Sequence, residues 1–219
     1  MCKQPHQLIW TDTERENDMS RGLIVLDPGH GQFGNAHTTR EGFYEGTQNF
    51  ILANALKAQL EARGFEVLTT RPAVEDNPDL ETRGKMAGEN RAILFLSLHS
   101  NAPGSATPPE QYAAVRGAVT YYSIADPLRN ADLATRLNDA VSVCMNTVNR
   151  GIKTRTYPDR PDLDYYGVLR HSVAYGCSCA MLIEHGFHTN PEDSAFLQDS
   201  DCLARLACVE ADVLDDFFD

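Results

Sequence analysis

The chain has 219 residues, 42% of them hydrophobic and 23% charged, a globular balance and not that of a disordered chain. Area scaling lets a chain of this length bury about 70% of its unfolded surface, so one core forms without disulfide staples. With 19 Lys and Arg against 31 Asp and Glu, the net charge is −12, the wrong sign for gripping a nucleic-acid backbone or an anionic membrane surface. The longest apolar run, Ala92 to Leu96, is far too short to span a bilayer.

Residues 1–21 are polar and acid-rich, with no basic stretch leading into an apolar one. They read as a loosely ordered lead-in without a secretory signal, and synthesis in the cytoplasm is the simplest expectation. Six cysteines are too few for a disulfide scaffold. Cys177 and Cys179 read as reduced, buried thiols rather than nucleophiles.

From residue 22 onward the pattern alternates between strand and helix. Gly22–Leu26 is a short apolar run suited to a strand covered on both faces. Residues 28–44 hold four glycines and read as a loop. Leu52, Leu56 and Leu60 recur every four residues, which predicts a helix over 45–63 stopped by Gly64. A strand at 65–69, a helix near 79–90 and a strand at 92–98 follow. Residues 102–116 read as a loop, 117–122 as a strand, 127–147 as a helix and 149–166 as a long loop. A helix near 167–175, a strand at 179–184 and a final helix at 201–217 complete the chain. The expectation is a single α/β domain over 22–219, with a mostly parallel twisted sheet and helices on both faces.

Such sheets present their chemistry at the carboxyl ends of their strands. Three strand ends here are polar: Asp27-Pro-Gly-His-Gly31, Ser97-Leu-His-Ser-Asn101 and Glu184-His-Gly-Phe-His-Thr-Asn190. If those strands are neighbours, the groups converge at one edge. Gly29-His-Gly-Gln-Phe-Gly34 also satisfies the dinucleotide pattern G-x-G-x-x-G. That fingerprint requires the glycine turn to open directly into a helix, whereas the helix here starts near Glu45. His30, His99 and Glu45 together make a two-imidazole, one-carboxylate set of the kind that holds catalytic Zn²⁺ with one position open. A lone histidine at a strand end is ordinarily a hydrogen-bonding residue, so spacing by itself makes only a moderate case. His185 and His188 flank Gly186, which argues for a turn: His185 reads as packed and His188 as substrate-lining. Asn101 holds the loop after His99 or touches substrate, Asp27 positions the His30 loop, and His37 and His171 read as ordinary polar residues.

Taken in order, Leu26-Asp-Pro-Gly-His-Gly31, a Glu opening a helix, Ser97-Leu-His-Ser-Asn101 and Ile183-Glu-His-Gly-Phe-His-Thr-Asn190 resemble the zinc-dependent N-acetylmuramoyl-L-alanine amidases of the amidase-3 type, peptidoglycan hydrolases. The resemblance runs from about Gly22 to Phe217; Arg83 and Asn90 also fall where the family tends to have Arg and Asn. It implies His30, Glu45 and His99 as zinc ligands, with Glu41 the alternative for the middle one, and Glu184 as the catalytic glutamate. It also implies bacterial peptidoglycan as substrate and cleavage of the amide between muramic acid and L-alanine. Zinc would polarise the carbonyl and activate water, and Glu184 would move the proton. A phage endolysin, a sporulation lytic enzyme and an autolysin are the settings the family offers. Two other readings stand beside it: a zinc peptidase of similar fold cutting another amide, and a non-catalytic peptidoglycan-binding or regulatory module. Oligomeric state is not encoded visibly.

Overall fold

The computed structural model describes residues 20–35 and 42–219. The lead-in up to residue 19, His37 and Glu41 lie outside the described residues. The first strand, β1 (Leu23–Pro28), leads through the glycine loop to helix α1 (Glu45–Glu61). Next come β2 (Glu66–Thr69), α2 (Leu80–Glu89) and β3 (Leu94–Asn101). A short 3-10 helix, Pro109–Ala114, precedes β4 (Ala118–Tyr122), α3 (Pro127–Cys144) and β5 (Asn149–Lys153). A small hairpin of β6 (Thr156–Tyr157) and β7 (Arg160–Asp164) leads into α4 (Gly167–Ala174) and β8 (Ala180–Phe187). The chain closes with α5 (Pro191–Gln198) and α6 (Ser200–Phe218).

Six strands form one sheet in the order β2-β1-β3-β8-β4-β5. The pairs β1/β2, β1/β3 and β3/β8 are parallel, whereas β4 runs antiparallel to β8 and carries β5 parallel to itself. The mostly parallel α/β expectation therefore holds, with a reversed two-strand edge. Residues 149–166, expected to be loop, instead supply β5 to that edge and fold β6 against β7. The final helix expected at 201–217 is present as α6, and a short helix not read from the sequence, α5, precedes it. Asn190 caps α5, accepting from the N–H groups of Glu192 and Asp193, and Pro191 occupies its first position, a start signal of standard chemistry.

Successive side chains of a strand point to opposite faces, and this alternation builds two cores. Ile24, Leu26, Leu94, Leu96, Leu98, Met181 and Ile183 face α1, α3 and α6. Val25, Phe95, Ala180 and Leu182 face the smaller α2–α4 layer, with Ala87, Val168 and Leu169. Helix α1 buries Leu52, Leu56 and Leu60, and Gly64, at φ +87°, turns the chain back in a left-handed conformation that glycine adopts without strain. Helix α6 buries Leu203, Leu206, Ala207, Ala211 and Leu214 along one stripe. Its acidic outer groups meet arginines: Asp212 pairs with Arg63, Asp215 with Arg21 and Asp216 with Arg136. Exposed pairs of this kind contribute little, so the apolar stripe is what docks the helix. Leu206→Ala, at a fully buried position far from the strand ends, is expected to lower unfolding free energy by roughly 2–5 kcal/mol in urea titration, with metal affinity of the folded protein unchanged.

Candidate metal centre and active site

On the α2–α4 face, each central strand turns from apolar to polar as it nears its carboxyl end. Val25 is followed by Asp27, Phe95 by Ser97 and His99, and Leu182 by Glu184, each two residues on. Because β1, β3 and β8 are adjacent, these groups converge, and His99 and Glu184 stand opposite each other in the register. The three strand ends are thus brought together at one edge of one face.

Glu45 is the centre of the cluster. Its side chain is 1% exposed, yet both oxygens are occupied. Oε1 lies 3.0 Å from His99 Nδ1 and accepts from the Ser100 N–H at 3.0 Å. Oε2 accepts from Asn35 Nδ2 at 2.8 Å and lies 3.4 Å from His30 Nε2. The Ser100 N–H points at this carboxylate where the β3–β8 register slips between His99 and Asn101, the usual effect of a bulge on a side chain or amide near a site. Burial alone would raise the Glu45 carboxyl, but hydrogen bonds and charge from His30 and His99 outweigh it and hold it well below the ordinary range. Burial would lower His99, and Glu45 reverses that, pushing it up to about 9. One donor atom each from His30, Glu45 and His99 lies within 4.8 Å of the others. The two imidazole rings meet edge to face at 4.9 Å, and their side chains keep 33% and 17% exposure, so a ligand can approach from solvent.

Glu184 stands beside His99 with its Oε2 buried and, among the described residues, without a hydrogen-bond partner. Such an atom in a folded protein asks for an explanation, and a water or substrate group beside the histidines supplies one. Burial pushes this carboxyl up to about 7, with His99 pulling the other way.

The loop carrying His30 is held from behind. His30 has φ +62°, a left-handed conformation that costs a residue with a Cβ about 1–3 kcal/mol unless its surroundings impose it. Arg83 imposes it: its guanidinium donates to the carbonyls of Pro28 and His30 and pairs with Asp27 at 2.7 Å, both side chains being almost fully buried. Thr70 and Ser97 hydroxyls donate to the two Asp27 oxygens, each at 2.6 Å. Arg71 donates to the carbonyls of Gly29 and Gly46, tying the loop to the start of α1. Close approach explains two glycines: a Cβ at Gly29 would lie 2.2 Å from the His99 ring, and one at Gly46 would lie 1.8 Å from the Gly31 carbonyl oxygen. On the outer side of His30 and His99, Asn77, Pro78, Leu80 and Val168 line a cleft of about 380 Å³.

The remaining sequence candidates fall as follows. Asp27 lies behind the His30 loop. His188 is buried, stacked on Phe43 at 5.5 Å and bonded to Ser100 Oγ, with its Nδ1 3.9 Å from Glu45 Oε2; little of its surface is left to offer a ligand. Asn101 is half-buried and its carbonyl accepts the His188 N–H. The His185 Nδ1–H donates to the His99 carbonyl, and its Nε2 faces Glu210 Oε1 at 2.8 Å, the pair being entirely enclosed. Burial pushes the Cys177 and Cys179 thiols up to about 11 and about 12, which fits packing and not nucleophilic chemistry. The glycine loop runs on to Asn35 without opening into a helix, so the dinucleotide fingerprint is not realised. Sequence reasoning missed Arg71 and Glu210. The second had a signal, a lone carboxylate within the apolar stripe of α6.

A mostly parallel α/β sheet that gathers two histidines and two carboxylates at its carboxyl edge, beside a cleft, has the layout of a hydrolytic site that could hold a metal ion. Comparison with known proteins narrows the class. Residues 24–214 match the N-acetylmuramoyl-L-alanine amidase family, Amidase_3, and the chain belongs to that family. It is 26% identical over 184 residues to the N-acetylmuramoyl-L-alanine amidase LytC of Bacillus subtilis, covering 84% of this chain and 33% of the relative. It is 28% identical over 185 residues to the probable cell wall amidase LytH of Staphylococcus epidermidis, covering 84% and 54%. The chain thus spans between a third and about half of the length of these relatives. The catalytic domain of CwlV, an amidase from Bacillus (Paenibacillus) polymyxa var. colistinus, superposes with a TM-score of 0.71 at 26% identity, over 90% of this chain and 97% of that one.

The Arg83 clamp has a measurable consequence. Arg83→Met leaves the Asp27 charge buried and unpaired, a change that costs about 3–5 kcal/mol, and releases the His30 carbonyl. Urea unfolding should show the loss of stability. Competition titration of the folded variant should show divalent-metal affinity lower by about 10–100-fold, the range for removing a group that orients a ligand.

Proposed function

We propose that this chain hydrolyses the amide between the lactyl group of N-acetylmuramic acid and L-alanine in bacterial peptidoglycan, with Zn²⁺ held by His30, Glu45 and His99. The single observation that carries the reading is Glu184: a carboxylate in register with His99, with one buried oxygen unpartnered and its pKa raised by burial to about 7. A group that must take a proton and then return it works best with a pKa near the operating pH.

The donor set suits the metal. Two imidazoles and one carboxylate with an open side are a common catalytic zinc environment, and Glu184 stands opposite His99 in the strand register. When bound, zinc supplies Lewis-acid polarisation of the amide carbonyl and makes a water more acidic. The chain's own residues do the rest. Glu184 accepts a proton from water as its oxygen bonds to the carbonyl carbon, then delivers that proton to the L-alanine nitrogen as the C–N bond breaks. Asn35 and the Ser100 N–H keep Glu45 oriented by holding its two oxygens, and Arg83 and Arg71 keep the His30 backbone in its left-handed turn.

Digestion of purified peptidoglycan tests the reading. Zinc-loaded protein should expose new N-terminal alanine without new reducing sugar, and a chelator should abolish this. Glu184→Gln should reduce the rate by about 10²–10⁴-fold while zinc content stays at the wild-type level. New amino groups elsewhere in the stem would identify a peptidase instead. Binding without release by a folded, zinc-loaded protein would identify a binding module.

His30→Ala separates the metal from the base. It removes one of three ligands, so zinc retention on dialysis and activity should fall together, whereas Glu184→Gln should lose activity alone.

A further inference from the structure

The direction of the reaction orients the substrate. Glu184 must reach the departing amine, so the peptide leaves over Glu184 and the sugar side lies toward His30 and the cleft beside Asn77. What lies beyond Glu184 is therefore the wall that meets the stem peptide. Across the sheet, Glu184 pairs with Val119 of β4, and Tyr121 follows two residues on, on the same face. The Tyr121 ring packs at 4.8 Å on Tyr166, the residue just before α4. Burial pushes the Tyr166 hydroxyl up, and both Tyr121 and the Glu184 charge act in the same direction, so this ring stands within electrostatic reach of the base.

Arg155 lies over this wall. Its guanidinium carbon is 3.7 Å from the centroid of the Tyr165 ring and 5.8 Å from that of Tyr166. Its carbonyl accepts the Tyr165 N–H at 2.8 Å, so backbone and side chain are both held. Asp164 fixes the platform by accepting from Ser123 Oγ and the Ile124 N–H at the end of β4. Of the thirteen arginines among the described residues, Arg21, Arg63, Arg83, Arg116, Arg136 and Arg160 meet carboxylates. Arg155 has none within ion-pair distance among the described residues. It is exposed, and beside its hydrogen bond to Tyr166 the planar guanidinium carries further N–H groups, of the kind that take a carboxylate through two parallel N–H···O bonds.

We propose that Arg155, stacked on Tyr165 beside Tyr166, is a specificity-determining subsite that takes a free carboxylate of the stem peptide beyond the L-alanine. The inference rests on the amidase reading for the direction in which the peptide leaves. The second stem residue is a glutamate joined through its γ-carboxyl, which leaves its α-carboxylate free in some walls and amidated in others. The span from Glu184 across β4 to the tyrosine platform is on the order of 10 Å, from a strand spacing near 4.8 Å and one ring contact, and two to three extended residues cover it at about 3.5 Å each.

The test uses two muramyl tripeptides that differ only in carrying the free α-carboxylate or its amide, and the two matching free tripeptides as binding probes. Wild type should show a KM about 10-fold lower for the acid, with similar kcat, and should bind the acid tripeptide more tightly in calorimetry. Arg155→Met should erase both preferences by weakening the acid only, and Arg155→Lys should restore part of them. A merely structural role for Arg155 would weaken acid and amide alike, and that result overturns the proposal. Equal wild-type binding of the two free tripeptides also overturns it. If neither substrate is cleaved but the acid tripeptide still binds better through Arg155, the amidase reading fails and the carboxylate subsite stands.

Discussion

A carboxylate buried to 1% exposure between two histidines is the constraint on which the rest of this structure depends. An isolated charge at that depth would cost several kcal/mol or more, and it persists only with its oxygens occupied. Glu45 meets the condition with five partners from three segments: His30, Asn35, Asn49, His99 and Ser100. None of these segments can shift alone without exposing part of the debt. The glycine loop, the first turn of α1 and the end of β3 are thereby locked to one another through a single side chain. The same pull of partners, strong enough to keep the carboxyl ionised against burial, gives the cluster its capacity for a divalent cation.

The second constraint is the pleat. Alternation on β1, β3 and β8 places Val25, Phe95 and Leu182 in the smaller core, and continuing each strand by two residues brings Asp27, Ser97 and Glu184 to the same face. Packing beneath and chemistry at the rim are thus consecutive turns of one pattern. A one-residue slip of β8 against β3 would send Glu184 to the opposite face, the side on which His185 meets the buried Glu210 carboxylate of α6. The buried aliphatic residues on both faces hold that register, so they contribute to the site without touching it.

Much of this was legible in the residues. Continuous apolar runs ending in Asp27, Ser97 and Glu184 announced parallel strands with polar rims, and Leu52, Leu56 and Leu60 announced α1. The stretch 149–166 was not legible as structure. Arg160-Pro-Asp-Leu-Asp164 has the composition of a loop, and β6 and β7 form with Tyr157 packed on Tyr165 and Asp164 pinned to Ser123, a contact between residues far apart in sequence. The capping chemistry of α5 was present in Asn190-Pro191, but the polar strand end drew the reading toward a site. Arg71 was beyond reach for a different reason. Its partners are backbone carbonyls of Pro28, Gly29 and Gly46, and no residue-type pattern marks a carbonyl as an acceptor. His188, close to the site in sequence, is buried in the structure, packed on Phe43 with its Nδ1 3.9 Å from Glu45.

The two walls of the site are built differently, and this bears on how such a site can diverge. On the His30 side, every element is hydrogen-bonded to a residue of the cluster: Arg83 to the His30 carbonyl, Arg71 to Gly29, Asn35 to Glu45. A substitution there propagates to the metal-binding atoms through hydrogen bonds a few ångströms long. On the far side, Arg155, Tyr165 and Tyr166 rest on one another, and among the described residues no hydrogen bond joins them to His30, Glu45 or His99. Residues that share no partners change stability and function nearly independently. The wall over which the peptide would leave is therefore free to vary with the substrate, while the wall that holds the histidines is not.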